Sequence, residues 1–194
     1  DVYETIACDD LDGDGRPEVI LGAPSAVVGG SAVGVVRVYS IVNGQFVLDR
    51  TFSGRAAGDL YGRSVGGAGD YDMDGVRDIL IGAPASYGYI EIRSGRDGRL
   101  LHTRSSGYAN DGYGESAANV GDVNNDGLED IAVAAPRWGP YPNSPNGVVA
   151  VHSPAQPTLT GGPASVSATA GGTHRLNLDL GGAFAGHLYL VLGS

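Results

Sequence analysis

Apolar positions in this chain fall in short runs, and most of the runs alternate with polar or small residues. Val35-Val36-Arg37-Val38-Tyr39-Ser40-Ile41-Val42, Tyr89-Ile90-Glu91-Ile92 and Val148 to His152 are of this kind. A period of two is the mark of a strand with one face buried. Three other runs do not alternate: Val19-Ile20-Leu21, Ile79-Leu80-Ile81 and Ile131-Ala132-Val133. Each leads into Gly22-Ala23-Pro24, Gly82-Ala83-Pro84 or Ala134-Ala135-Pro136. Short apolar runs bounded by Gly and Pro predict buried strands, and Pro ends them because it cannot donate to a sheet ladder. Asn43-Gly44, between two alternating segments, predicts a tight hairpin into Gln45 to Thr51. Gly95-Arg96-Asp97-Gly98 predicts a second turn, into Leu100-Leu101-His102. No amphipathic helix of useful length is visible, and the 33 Gly fall at turns. The expected class is all-β.

One acidic loop precedes each non-alternating run. The three copies are Asp10-Leu11-Asp12-Gly13-Asp14-Gly15-Arg16-Pro17-Glu18, Asp70-Tyr71-Asp72-Met73-Asp74-Gly75-Val76-Arg77-Asp78 and Asp122-Val123-Asn124-Asn125-Asp126-Gly127-Leu128-Glu129-Asp130. They begin 60 and then 52 residues apart, which is a repeat period. Oxygen side chains stand at loop positions 1, 3, 5 and 9, with Gly at 6. Hard cations such as Ca²⁺ need several oxygen ligands on a tightly turned backbone. An EF-hand is excluded, because it needs a Glu at position 12 and a helix on each side. Position 12 is Leu21, Ile81 or Val133, and a strand follows each loop. The candidate ligands are Asp10, Asp12, Asp14 and Glu18; Asp70, Asp72, Asp74 and Asp78; and Asp122, Asn124, Asp126 and Asp130. Arg16, Val76 and Leu128 would add backbone carbonyls, for up to three ions. Asn124 leaves the third loop one carboxylate short, so weaker binding is expected there.

Upstream of loops two and three stand Tyr61-Gly62-Arg63-Ser64 and Tyr113-Gly114-Glu115-Ser116, again 52 residues apart. An aromatic-Gly box, a calcium-type loop and a Gly-Ala-Pro ending, in fixed order, resemble the FG-GAP repeat of the integrin alpha-chain β-propeller. The resemblance covers residues 1 to 152. It implies blades of four antiparallel strands, with Ca²⁺ held in the hairpin loop between the first two. Copy one lacks the aromatic-Gly box, and copy three has Ala134 in place of the Gly.

The formal charge is −10, and the candidate ligand positions hold eleven of the 22 acids. Three divalent ions would bring −10 to −4, so the acidity reads mainly as metal-site charge. It argues against a nucleic-acid partner, which wants basic patches. There is no Lys. Cys8 is the sole cysteine, so no internal disulfide forms, and its strand position predicts a small buried thiol. No stretch approaches 18 apolar residues, so no membrane span is expected. Gly62-Arg63-Ser64-Val65-Gly66 matches a nucleophile elbow, but a strand follows where that motif needs a helix. His102, His152, His174 and His187 are isolated, without zinc-ligand spacing. No enzyme constellation is present. Tyr87, Tyr89, Tyr108, Trp138 and Tyr141 are candidates for ligand contact or for packing between blades, and the Pro-rich stretch from Trp138 to Pro145 is the expected exposed binding loop.

The expected organisation is three blades, 1–54, 55–106 and 107–153, then a Pro/Gly linker at 154–164 and a small β segment at 165–194. The apolar alternation in that tail predicts either a second small β unit or strands that complete blade three. Closed propellers use about four to eight blades, and three would leave open sheet edges. The chain is expected to be a piece of a longer protein; assembly with another copy and capping by the tail are the alternatives. The expected function is an extracellular, calcium-binding scaffold for protein binding and adhesion. Rival readings are a glycan-binding or carbohydrate-active module, and a self-assembling surface protein. Calcium loops of this kind suit a compartment rich in calcium, hence the extracellular or cell-surface expectation.

Overall fold

The Asn43-Gly44 hairpin shows how local chemistry sets the strands. Both residues have positive φ, 53° and 76°, as the mirror-image turn that matches strand twist requires. The computed structural model describes residues 2–139 and 147–154, and the backbone of 167–169, 173–175 and 188–190. In chain order the strands are β1 (Thr5–Asp9), β2 (Glu18–Ala23), β3 (Val27–Val28), β4 (Ser31–Ala32), β5 (Val35–Val42), β6 (Gln45–Ser53), β7 (Ser64–Gly69) and β8 (Asp78–Ala83). There follow β9 (Tyr89–Arg93), β10 (Leu100–Ser105), β11 (Ser116–Gly121), β12 (Asp130–Ala135), β13 (Val148–His152), β14 (Ser167–Thr169), β15 (Thr173–Arg175) and β16 (Leu188–Leu190). Among the described residues there is no helix.

Three four-stranded antiparallel sheets form, in the orders β1-β2-β5-β6, β7-β8-β9-β10 and β11-β12-β13-β16. These are the expected blades. The second is a continuous meander, and in the first a separate β3–β4 hairpin stands between β2 and β5. The third takes its fourth strand from the tail, through Val149↔Leu190 and Val151↔Leu188, while β14 and β15 pair with each other. The strands β1, β7 and β11 are neighbours along one side of the array. Tyr141, His187 and most of the expected linker lie outside the described residues.

Each blade has two apolar faces, and the core lies between blades. One cluster joins blades one and two through Ile20, Val36, Val38, Tyr61, Ile79 and Ile81. The other joins blades two and three through Leu80, Ile90, Ile92, Tyr113, Ile131 and Val133. Consecutive residues of β8 thus serve opposite joints, and all six are buried. A strand covered on both sides has no polar face to show, so its sequence does not alternate. Each large aliphatic side chain buried this way contributes about 1.5–3 kcal/mol.

The joints also explain the Gly of Gly-Ala-Pro. A β-carbon on Gly22 would lie 2.2 Å from the Gly62 carbonyl oxygen, and one on Gly82 would lie 2.3 Å from that of Gly114. Thr5 and Ser64 donate hydroxyl hydrogen bonds to the same two carbonyls, at 2.7 and 3.0 Å. The box of one blade is therefore seated on the Gly of the blade before it. Ala134 occupies the matching place in blade three, whose far face receives no box among the described residues.

Two charge ladders cross both joints. Arg63 bridges Glu4 and Glu115 at 3.4 and 3.0 Å, and Arg77 bridges Asp9 and Glu129 at 2.8 and 3.3 Å. Buried Glu91 accepts from Tyr61 Oη at 2.7 Å, Arg55 Nη2 at 2.7 Å and Arg93 Nε at 2.8 Å. Burial, with the charge of Glu91, pushes the Tyr61 phenol well above its ordinary range.

Cys8 departs from expectation: it is exposed. On β1 the side chains alternate, and Ala7 takes the joint, so Ile6 and Cys8 turn to the other face. That face is open. Ile6 is 69% and Phe46 65% exposed, and with Val19, Leu21 and Tyr39 they line a groove of about 240 Å³.

The joint makes a clear forecast for urea unfolding. Gly82→Ala, which drives a methyl into a backbone carbonyl, will cost about 1–3 kcal/mol. Ala134→Gly, which meets no box, will cost no more than about 1 kcal/mol. Equal effects would show that the joint is not the reason for the glycine.

Candidate metal centre

Loops 10–18, 70–78 and 122–130 close the hairpins β1–β2, β7–β8 and β11–β12. The first acid of each loop organises the turn. Asp10 Oδ2 accepts the Gly15 N–H at 2.9 Å, Asp70 Oδ2 that of Gly75 at 2.9 Å, and Asp122 Oδ2 that of Gly127 at 2.8 Å. Position 6 has φ of 84°, 87° and 88° in the three copies, which glycine adopts without steric cost. Position 4 is left-handed too, as Gly13 (78°), Met73 (58°) and Asn125 (62°).

The ninth position ties the loop to the start of the next strand. Glu18 Oε2 accepts from Leu11 N at 2.9 Å, Asp78 Oδ2 from Tyr71 N at 2.7 Å and Asp130 Oδ2 from Val123 N at 2.9 Å. These three acids are the buried ones: Asp78 and Asp130 are 0% exposed and Glu18 is 4%. Burial pushes the Asp78 carboxyl up to about 6. Burial also raises that of Glu18, helped by the charges of Asp12, Asp14 and Asp10. Both shifts mark carboxylates in want of a positive partner.

Carboxylate oxygens of Asp10, Asp12 and Glu18 lie within 4.8 Å of one another, and so do those of Asp70, Asp72 and Asp78. Positions 1, 3 and 9 are thus gathered. Position 5 is not part of these groups. Asp14 Oδ1 accepts from Arg16 N at 2.8 Å, and Asp74 Oδ2 accepts from Arg96 Nε at 2.7 Å. In the third loop no group of three acids forms among the described residues. There Asn124 Nδ2 donates to Asp126 Oδ2 at 2.9 Å, and Ser153 Oγ donates to the same atom at 2.8 Å. Arg16 is exposed, Val76 buried and Leu128 half-buried.

The donor set consists of oxygens alone, the kind that takes hard cations. Two of the oxygens are orphaned. Asp72 Oδ1 and Asp130 Oδ1 are buried without a hydrogen-bond partner. A buried carboxylate oxygen left unpaired is costly, and a cation in the loop would relieve it. The residues present therefore fit Ca²⁺. Sequence reasoning missed the neighbours of the loops, namely Gly95, Arg96, Arg99 and Ser153. They lie in turns and strand ends that the sheet register, not local spacing, brings to the acids.

The family described as FG-GAP repeat matches residues 3–39, 61–100 and 113–152. The chain belongs to the FG-GAP repeat family. Integrin alpha-4 of Xenopus laevis is 33% identical over 133 residues, which cover 63% of this chain and 12% of that protein. Integrin alpha-PS2 of Drosophila melanogaster is 33% identical over 150 residues, or 68% and 10%. Integrin alpha-6 of Gallus gallus is 35% identical over 117 residues, or 52% and 11%. The chain spans about a tenth of the length of these relatives. Each FG-GAP match spans the acidic loop and the first three strands of one sheet, although the first stops within β5, so the fold is of the integrin β-propeller type.

The candidate contact aromatics divide within these FG-GAP blades. Tyr89 is buried and donates to Asp59 at 2.9 Å. Trp138 packs on the joint between blades two and three, edge-on to Tyr108 at 6.2 Å. Tyr87 is exposed. Tyr141 and the rest of the Pro-rich stretch, 140–146, fall outside the described residues.

Met73 holds a left-handed conformation with an exposed side chain. Non-glycine residues pay for that conformation, Asn least among them. Met73→Asn, the residue type found at that position in loop three, will raise unfolding free energy by about 0.5–1 kcal/mol. Urea denaturation with and without calcium checks it; a loss in both conditions would sink the idea.

Proposed function

We propose that the chain is an extracellular, calcium-binding segment of an FG-GAP β-propeller that serves as a scaffold for protein binding and adhesion. One observation carries the calcium part: two hairpin loops gather three carboxylates each around buried acids, with an orphaned carboxylate oxygen in loop two. The integrin alpha relatives support the adhesion part. No helix long and apolar enough to cross a membrane is present among the described residues.

Asp10, Asp12 and Glu18 would hold one ion, and Asp70, Asp72 and Asp78 a second. Asp14 and Asp74, with the carbonyls of Arg16 and Val76, are further oxygens of the same two loops. Loop three offers Asp122, Asn124, Asp126, Asp130 and the Leu128 carbonyl, with less charge. An ion supplies fixed positive charge to carboxylates that are otherwise forced together. The loop then becomes a rigid strut between two strands, and the neighbouring surface loops are held ready to meet a partner.

Thermal melts in Ca²⁺ and in EDTA test this. Filling one site at a hundredfold excess over Kd stabilises by about 2.7 kcal/mol, or about 5–10 °C in Tm for a chain of this size. The double substitution Asp10→Asn and Asp70→Asn will remove most of that response. A Tm that ignores calcium would overturn the reading.

A second reading is self-association through the open face of blade one. Val19 and Leu21 stand where Ile79 and Ile81 of blade two, and Ile131 and Val133 of blade three, are buried against the preceding blade. Under this reading, sedimentation velocity gives a mass that rises with concentration, and Ile6→Glu returns it to the monomer. A constant monomer mass in the unsubstituted chain rules it out.

A further inference from the structure

The three loops share a spacing but not a set of neighbours. In loop two the turn between β9 and β10 folds over the acids. Arg96 Nε donates to Asp74 Oδ2 at 2.7 Å, and Arg96 Nη2 donates to the Asp74 carbonyl at 2.8 Å. Arg99 Nη2 donates to Asp72 Oδ2. Gly95 N donates to Asp78 Oδ1 at 3.0 Å. One turn thus grips positions 3, 5 and 9 together. In loop one Asp12 and Asp14 accept from the loop's own backbone, at 3.0 and 2.8 Å, as Asp74 also does from Val76 N at 2.9 Å, and no arginine side chain is seen on either acid among the described residues. In loop three a neutral hydroxyl, Ser153 Oγ, takes the place of the arginines.

Asp72 belongs to the group of three acids that faces a prospective ion, and its Oδ1 is buried and unpaired. Its Oδ2 carries the Arg99 guanidinium. A guanidinium and a divalent cation on one carboxylate repel each other. We propose that Arg96 and Arg99 are resident counter-cations of loop two. They hold its acids when no ion is bound, and they weaken its hold on Ca²⁺ relative to loop one. The proposal rests on the calcium reading above and goes beyond it. It assigns the order in which two loops of equal carboxylate count fill, and it makes the β9–β10 turn the element that yields when loop two is filled. Arginine suits the task because its planar fork reaches both a side-chain oxygen and a backbone carbonyl of the loop at once.

Tb³⁺ is the probe, since it enters calcium sites and is excited through a nearby tyrosine. Loop two carries Tyr71 at its second position, where loops one and three carry Leu11 and Val123. The signal lost in Tyr71→Phe is therefore that of loop two. Titration is compared in the unsubstituted chain and in the double substitution Arg96→Gln and Arg99→Gln, with melts in EDTA and in saturating Ca²⁺. Both arginines are exposed, so the variant keeps its fold. The expected result is a Tyr71-dependent midpoint about fivefold lower in the variant, with Tm lowered in EDTA and unchanged in Ca²⁺. An unchanged midpoint, with Tm lowered equally in both conditions, would make the arginines ordinary surface bridges and overturn the proposal. No Tyr71-dependent emission in the unsubstituted chain would overturn the calcium reading of loop two, and the counter-cation proposal with it.

Discussion

A sheet with two apolar faces cannot bury both by itself, and everything else in this chain follows from that. Blade two satisfies both faces, because it stands between two neighbours. Its central strand carries Ile79, Leu80 and Ile81 in succession, each with somewhere dry to go. Among the described residues, blades one and three satisfy one face each. The same demand brings backbone against backbone at the joints, where a box carbonyl sits on Gly22 or Gly82 with no room for a side chain. Repetition of the motif is thus repetition of a packing problem and its solution.

Stacking the blades in one direction places every acidic loop in the same position of its hairpin. Negative charge is thereby concentrated, and the fold answers it locally. Arg77 stands between Asp9 and Glu129, and Arg96 and Arg99 lie over the second loop. Such exposed bridges contribute little one by one. What they leave unanswered is the buried acid at position 9, whose remaining oxygen is bonded to Gly95 N in blade two and orphaned in blade three. A hard cation is the simplest missing partner for that arrangement.

The FG-GAP repeats and the integrin alpha relatives place this chain among β-propeller segments, and the scaffold proposed above would present its loops from those blades. Rigidity matters for such a role, because a loop ordered in advance loses less entropy when it meets a partner. The aromatic side chains show how far packing claims residues that look suited to contact. Tyr89 and Trp138 are taken up in the joints, while Tyr87 remains exposed on the surface.

Strand positions, the Asn43-Gly44 turn, the repeat period and the acid spacing were all legible along the chain, because each is a local requirement of backbone geometry or of a hard cation's oxygen shell. Cys8 was not, since alternation on β1 says that two faces exist but not which of them a neighbour covers. The fourth strand of blade three was legible only as one of two alternatives for the tail, because it pairs with β13 across a long stretch of chain. The gathering of positions 1, 3 and 9 without position 5 was equally hidden, as was the grip of Arg96 and Arg99 on loop two. By itself the sequence determined the blades and the loops, through short-range sterics and hydrogen bonding. Only the tertiary structure decided which face is open and which charge meets which acid, because those depend on side chains from strands and turns distant in sequence.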